Sequence, residues 1–277
     1  MNKGILIGFA AGIVCLFFLV RAIIRKERLS DWMIYYGTEL TAPDLRGKTL
    51  AILEPENISP KTLTATGKIK FVGYLSVGEI NESRSYWQAI KEKPFVLKSN
   101  PDWPGAHRVD IRAAQWRQLL LETIIPEILA KGYQGLFLDT VDTAEYLEET
   151  DPQRFAGSKE AMLQFVHSIR EKFPSILILP NNGFALLDGW KEIVDGVVVE
   201  DLYTRYDFAS KTIGETPLAV SRDKEGHLDR FREATGKPVY NILYASPESG
   251  SITQEAIRHS RQKSYHWFVT DIALRTK

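Results

Sequence analysis

The chain has 277 residues, and 35 Lys and Arg balance 35 Asp and Glu, so there is no overall basic field to attract nucleic acid, and that class of partner is excluded. The length left after the N-terminal segment suits one large domain built around a single core. The single cysteine, Cys15, lies inside an apolar N-terminal run, which excludes disulfides and thiolate metal sites from the folded part.

Gly4 to Val20 is uncharged and almost wholly apolar, with Lys3 before it and Arg21, Arg25, Lys26 and Arg28 after it. This is the layout of a signal peptide or signal anchor, so residues 1–28 are expected to send the chain to a membrane. The basic cluster directly downstream argues against clean processing. The expectation is therefore an exported protein held at the cell surface or in the periplasm, or secreted if the segment is cleaved. Residues 29–277 form the folded domain.

Taken in order, that domain begins with two short apolar strands, Trp32–Gly37 and Thr49–Pro55, the second ending on Glu54. A third runs from Phe71 to Glu79, with Gly78 just before the acid. Asn81 to Asp110 is aromatic and irregular, too long for an ordinary connection, and reads as an insertion covering a site. Trp116, Leu119, Leu120, Ile124 and Ile128 recur at helical spacing; Pro126 predicts a kink or break and Gly132 the stop.

Gly135-Leu136-Phe137-Leu138 has no polar alternation, as suits a parallel strand covered on both faces, and it runs out into Asp139 and Asp142. Ser158 is expected to cap a helix whose Met162, Phe165, Val166 and Ile169 form its buried stripe. The next strand, Ile176–Pro180, ends in Asn181 and Asn182, and Val194–Val199 ends in Glu200 and Asp201. After a helix around Leu228 and Phe231 come the strands Pro238–Tyr244 and His266–Thr270, the last ending on Asp271.

Eight strand-like segments, mostly separated by helical stretches, predict an α/β fold, a single (β/α)8 TIM barrel. A doubly wound sheet is the alternative, but no G-x-G-x-x-G or Walker A pattern is present to support it. In a barrel all C-terminal strand ends share one face. Glu54, Glu79, Asp139, Asp142, Glu200, Asp201 and Asp271 would then converge there with Tyr36, Asn181 and Asn182. So many carboxylates repel one another unless they bind cations or hydroxyls or exchange protons. No lysine sits at a strand end for a Schiff base, and the five histidines show no paired metal spacing. No metal or cofactor is expected. What remains is carboxylate acid/base work on a neutral or cationic substrate between aromatic walls, the equipment of a glycosidase.

Tyr35-Tyr36-Gly37, the run from Gly73 to Glu79, Trp103-Pro104-Gly105 with Val109-Asp110, the run from Gly135 to Asp142, and Asn181-Asn182-Gly183 together resemble glycoside hydrolase family 114, the endo-α-1,4-polygalactosaminidase-like barrels. The resemblance implies cleavage of α-1,4-linked, galactosamine-containing exopolysaccharide by an acid near the fourth strand and a glutamate near the sixth. Those positions match Asp139 or Asp142, and Glu200. The expected assignment is a retaining pair, Asp139 and Glu200, with Tyr36, Glu79, Asp142, Asn181, Asn182, Asp201 and Asp271 contacting substrate. A non-catalytic polysaccharide-binding barrel, suggested by the anchor and by Trp87 and Trp103, is the competing expectation.

Overall fold

The computed structural model describes residues 30–63 and 68–277, so the signal-anchor expectation for residues 1–28 lies outside the described residues. Among the described residues no helix is long and apolar enough to cross a membrane.

Thirteen strands are formed among them. Eight run parallel: β1 (Trp32–Tyr35), β2 (Leu50–Leu53), β3 (Lys70–Ser76), β7 (Gly135–Asp139), β8 (Leu177–Pro180), β9 (Val197–Val199), β12 (Val239–Tyr244) and β13 (His266–Thr270). β1-β2-β3-β7-β8 make one ladder and β13-β12-β9 another. A parallel bridge between Asn181 and Val198 joins β8 to β9. At the other seam β13 lies against β1, the Trp32 and Tyr240 rings are 5.2 Å apart, and the Tyr36 N–H donates to the Leu274 carbonyl at 2.8 Å. The order around the sheet is therefore the order along the chain, as an eight-stranded α/β barrel requires.

The strands form where the sequence is apolar on both sides of the pleat. Every residue of β1, β2 and β9 is buried, which removes the alternation of a half-exposed strand. Trp32, Trp116, Trp190, Phe137 and Phe165 are fully buried; each large side chain so placed contributes about 1.5–3 kcal/mol.

Four sequence expectations need correction. The third strand stops at Ser76 rather than Glu79. A Cβ on Gly78 would lie 2.1 Å from the Thr140 carbonyl oxygen, so the chain passes there as bare backbone and leaves the parallel sheet. Glu79 then opens β4 (Glu79–Asn81), and Asn81–Asp110 is not irregular. With β5 (Val96–Ser99) and β6 (Ala106–Val109) it forms an antiparallel sheet in the order β4-β6-β5. A hairpin that the sequence reading missed, β10 (Thr204–Asp207) and β11 (Thr212–Glu215), follows β9. Its turn is held by Asp207, which accepts the Ala209 and Ser210 N–H groups at 2.9 Å.

The third and fourth corrections concern helices. Pro126 does not break its helix; the chain passes through a π-helical turn, Leu120–Ile124, between Ala114–Leu119 and Ile125–Ala130. The wider turn accommodates a residue that has no N–H to give. Ser158 is the first residue of its helix, and Gly157, at φ 82°, is the cap. Among the described residues of the first two crossovers the helical elements are the short 3-10 turns Ala42–Leu45 and Pro60–Thr62.

Candidate active site

The C-terminal ends of β3, β7, β8, β9 and β12 line a cavity of about 640 Å³. Because these strands are consecutive around the sheet, they deliver Tyr74, Asp139, Asn181, Glu200 and Tyr244 side by side. Asp139 accepts the Tyr74 hydroxyl at 2.9 Å on Oδ2 and the Asn181 amide at 2.9 Å on Oδ1. The same Asn181 Nδ2 donates to Glu200 Oε1 at 2.9 Å, and the Tyr244 hydroxyl donates to Glu200 Oε2. Each acid thus receives one phenol and one amide hydrogen.

Asp139, Asn181 and Glu200 are each followed by a non-glycine residue in the left-handed region: Thr140 at φ 58°, Asn182 at 54° and Asp201 at 52°. A β-branched residue such as Thr140 adopts this conformation only under constraint, at a cost of about 1–3 kcal/mol. Thr140 Oγ1 supplies the constraint, accepting the Gly78 N–H at 2.9 Å and bonding to Ser76 Oγ at 2.8 Å. The kink turns the chain away directly after the site residue and leaves the preceding side chain facing the cavity.

Electrostatics act on Glu200. Burial, then the negative charge of Asp139 and then that of Asp201, push the Glu200 carboxyl up to about 7, against the hydrogen bonds from Tyr244 and Asn181. A proton is thereby available on Glu200 near neutral pH. The Asp142 carboxyl is pushed up to about 6, first by burial and then by Asp139.

Tyr36, Glu79, Asp142, Asn181 and Asn182 line the cavity with the acid pair. The Tyr36 ring stands edge-on to Tyr74 at 4.9 Å. Glu79 accepts the Asn100 amide at 2.9 Å and lies 3.9 Å from Arg108; burial raises its carboxyl. Asp142 occupies the N-cap of the helix Thr143–Thr150 without making a side-chain capping bond. Asn182 Oδ1 accepts the Glu200 backbone N–H at 3.4 Å.

Three expected members of the cluster are elsewhere. Asp271 is not in the cavity wall; its carboxylate accepts the Ala273 and Arg275 N–H groups at 2.7 and 3.2 Å and the Thr276 hydroxyl at 2.7 Å, because β13 ends at Thr270 and the acid begins the terminal turn. Asp201 is also outside the wall, since it is itself the kinked residue after Glu200; its backbone carbonyl accepts Lys224 Nζ at 3.1 Å. Glu54 is held by a two-pronged ion pair with Arg84, at 2.7 and 2.9 Å. The sequence reading missed Tyr74, Tyr244 and Lys224. Tyr244, the last residue of β12, could have been found at a strand end, where Tyr36 was the one tyrosine weighed.

The sequence profile described as glycoside-hydrolase family GH114 matches residues 22–276. The chain belongs to family GH114. In this GH114 chain the half-buried carboxyl pair at the ends of β7 and β9 is the equipment of a glycosidase. The glycoside hydrolase domain of PelA from Pseudomonas aeruginosa superimposes with a TM-score of 0.77 at 25% identity, covering 89% of this chain and 96% of that one. Ega3 from Aspergillus fumigatus, crystallised in complex with galactosamine, shares the fold at a TM-score of 0.68 and 16% identity, over 89% of this chain and 92% of that one. An uncharacterized protein of Methanocaldococcus jannaschii is 33% identical over 209 residues, 71% of this chain and 57% of that protein. One of Deinococcus radiodurans is 28% identical over 185 residues, 63% and 56% of the respective chains. The GH114 chain thus spans under two thirds of the length of these two relatives.

Proposed function

We propose that the chain hydrolyses α-1,4-linked, galactosamine-containing exopolysaccharide with retention of configuration. Asp139 attacks the anomeric carbon while Glu200 gives its proton to the leaving glycosidic oxygen. Glu200, now a carboxylate, takes a proton from water; the water oxygen attacks the same carbon and Asp139 departs.

The observation that carries this reading is the shared nitrogen of Asn181. Two 2.9 Å bonds leaving one planar N–H2 group at about 120° put the acceptor oxygens about 5 Å apart. Retaining pairs stand about 5–5.5 Å apart and inverting pairs about 6.5 Å or more. Asp139 is preferred to Asp142 because Asp139 shares this amide with Glu200. The acidic wall, with Glu79, Asp142, Glu145 and Glu149 around the cavity, suits a cationic aminosugar polymer, and Tyr36, Glu79, Asp142 and Asn182 are its contacts in this reading. The parallel strands are taken as one closed (β/α)8 barrel, supported by their order and by the bridge at Asn181. The protein acts outside the cytoplasm, held by or released from its apolar N-terminal segment.

The test is release of new reducing ends from a partly de-N-acetylated α-1,4-galactosaminan. Asp139→Asn and Glu200→Gln are expected to lose it while melting as the wild type does. Wild-type rates in either variant refute the assignment.

A further inference from the structure

We propose that Asn181 is the positioning residue that sets the spacing of Asp139 and Glu200 and so maintains the geometry of the reaction. The inference rests on those two acids being the reacting pair.

Three observations carry it. β8 lies between β7, which bears Asp139, and β9, which leads into Glu200, so a residue at the end of β8 is the one whose side chain can reach both. Asn181 does so with a single nitrogen that spends one hydrogen on each carboxyl, both at 2.9 Å. Its backbone is fixed independently of its side chain. The N–H donates to the Leu138 carbonyl at 2.8 Å, and the residue forms the bridge to Val198.

The third observation concerns the other end of the amide. Asn181 is 4% exposed, and its Oδ1 is buried with no hydrogen-bond partner. A buried amide retained only for stability would be expected to satisfy its carbonyl. Asn181 leaves it unsatisfied and directs both N–H bonds at the acids. Without the clamp nothing neutral stands between the two carboxyls, which β8 alone separates, and their mutual repulsion is free to spread them.

The experiment uses the full chain and three variants, Asn181→Ala, Asn181→Gln and Glu200→Gln, with melting temperatures measured on each. Hydrolysis of partly de-N-acetylated α-1,4-galactosaminan is followed across pH, and the Glu200 carboxyl is titrated by ¹³C NMR without substrate. Asn181→Ala is expected to lower kcat about a hundred-fold, as displacement of a reacting group by about 1 Å does, with KM changed by about three-fold or less. Its Glu200 carboxyl should titrate at higher pH than in the wild type, because a hydrogen bond to the charged form is gone. Asn181→Gln keeps the N–H2 group and should recover part of kcat. A merely structural role would lower melting and leave the Glu200 titration in place, which overturns the proposal. So does a wild-type kcat in Asn181→Ala alongside an inactive Glu200→Gln. If Glu200→Gln is itself fully active, the assignment of the reacting pair fails instead.

Discussion

Replacing Tyr244 with Phe deletes the hydroxyl that donates to Glu200 Oε2 and leaves the ring in place. Glu200 then keeps only the Asn181 N–H, while burial and the Asp139 charge, which push it up to about 7, remain. A hydrogen bond to a charged group contributes about 1.5–3 kcal/mol, and about 1.4 kcal/mol is one pH unit. Full loss would therefore raise Glu200 by about one to two units. Water entering from the cavity replaces part of the lost bond, so about one unit is expected. Glu200 must be protonated to act as the acid, so the alkaline limb of kcat/KM should move up by that amount. Reducing-end release from about pH 5 to about pH 9 reads the limb, and a ¹³C titration of Glu200 without substrate reads the same shift directly. Stability gives an independent check of sign. A carboxyl raised on folding contributes stability that is present below its ordinary range and is lost as pH rises through about 7. In Tyr244→Phe that loss extends to higher pH, so melting measured under acidic and mildly alkaline conditions should diverge more than in the wild type. An alkaline limb that stays put or moves down refutes the argument that Tyr244 stabilises the charged form.

Glu79→Gln should melt near normally and lose about ten-fold in kcat/KM, roughly 1.4 kcal/mol, because Glu79 faces the cavity with only the Asn100 amide closely bound; unchanged kinetics in a folded protein would remove it from the site. Arg84→Leu leaves the buried Glu54 carboxylate unpaired, a loss of about 3–5 kcal/mol that should lower Tm by on the order of 10 °C; calorimetry checks it, and an unshifted Tm would mean that Glu54 is solvated. Gly78→Ala brings a methyl to 2.1 Å from the Thr140 carbonyl oxygen and 2.7 Å from Thr143 Cβ. It should cost activity as well as stability, since the Thr140 kink orients Asp139; a variant that melts lower with intact kcat would show that the kink does not serve the site.

Most of the eight parallel strands could be read because burial on both faces writes them as apolar runs, as in Leu136–Leu138 and Val197–Val199. Asp139 and Glu200 could be read because they end such runs. Which other acids join them was not legible, since it depends on the residue at which the chain leaves its strand. Thr140 turns away from β7 through contacts with Ser76 and Gly78, more than 60 residues distant, and no local pattern reports that pairing. Asp201 shows the effect most simply: one position past Glu200, it is itself the turning residue and faces elsewhere. The antiparallel sheet of the insertion was hidden for a different reason. Val96–Ser99 is half-buried at its start and exposed at its end, and a strand that buries so little carries a weak apolar signal.

Trp103 lines the cavity and projects from the insertion that follows β3. It meets Phe208, on the turn of the β10–β11 hairpin, edge to face at 5.1 Å, and the two rings are 46% and 40% exposed. A contact of this kind is worth about 0.5–1.5 kcal/mol beyond its burial, which favours the joined state only about two- to thirteen-fold. A double-mutant cycle of Trp103→Ala and Phe208→Ala, read by melting, measures that figure. At this strength the ring pair is a weak tie between the insertion and the hairpin. Under the proposed function, an internal stretch of polysaccharide would enter the cavity where these two segments part.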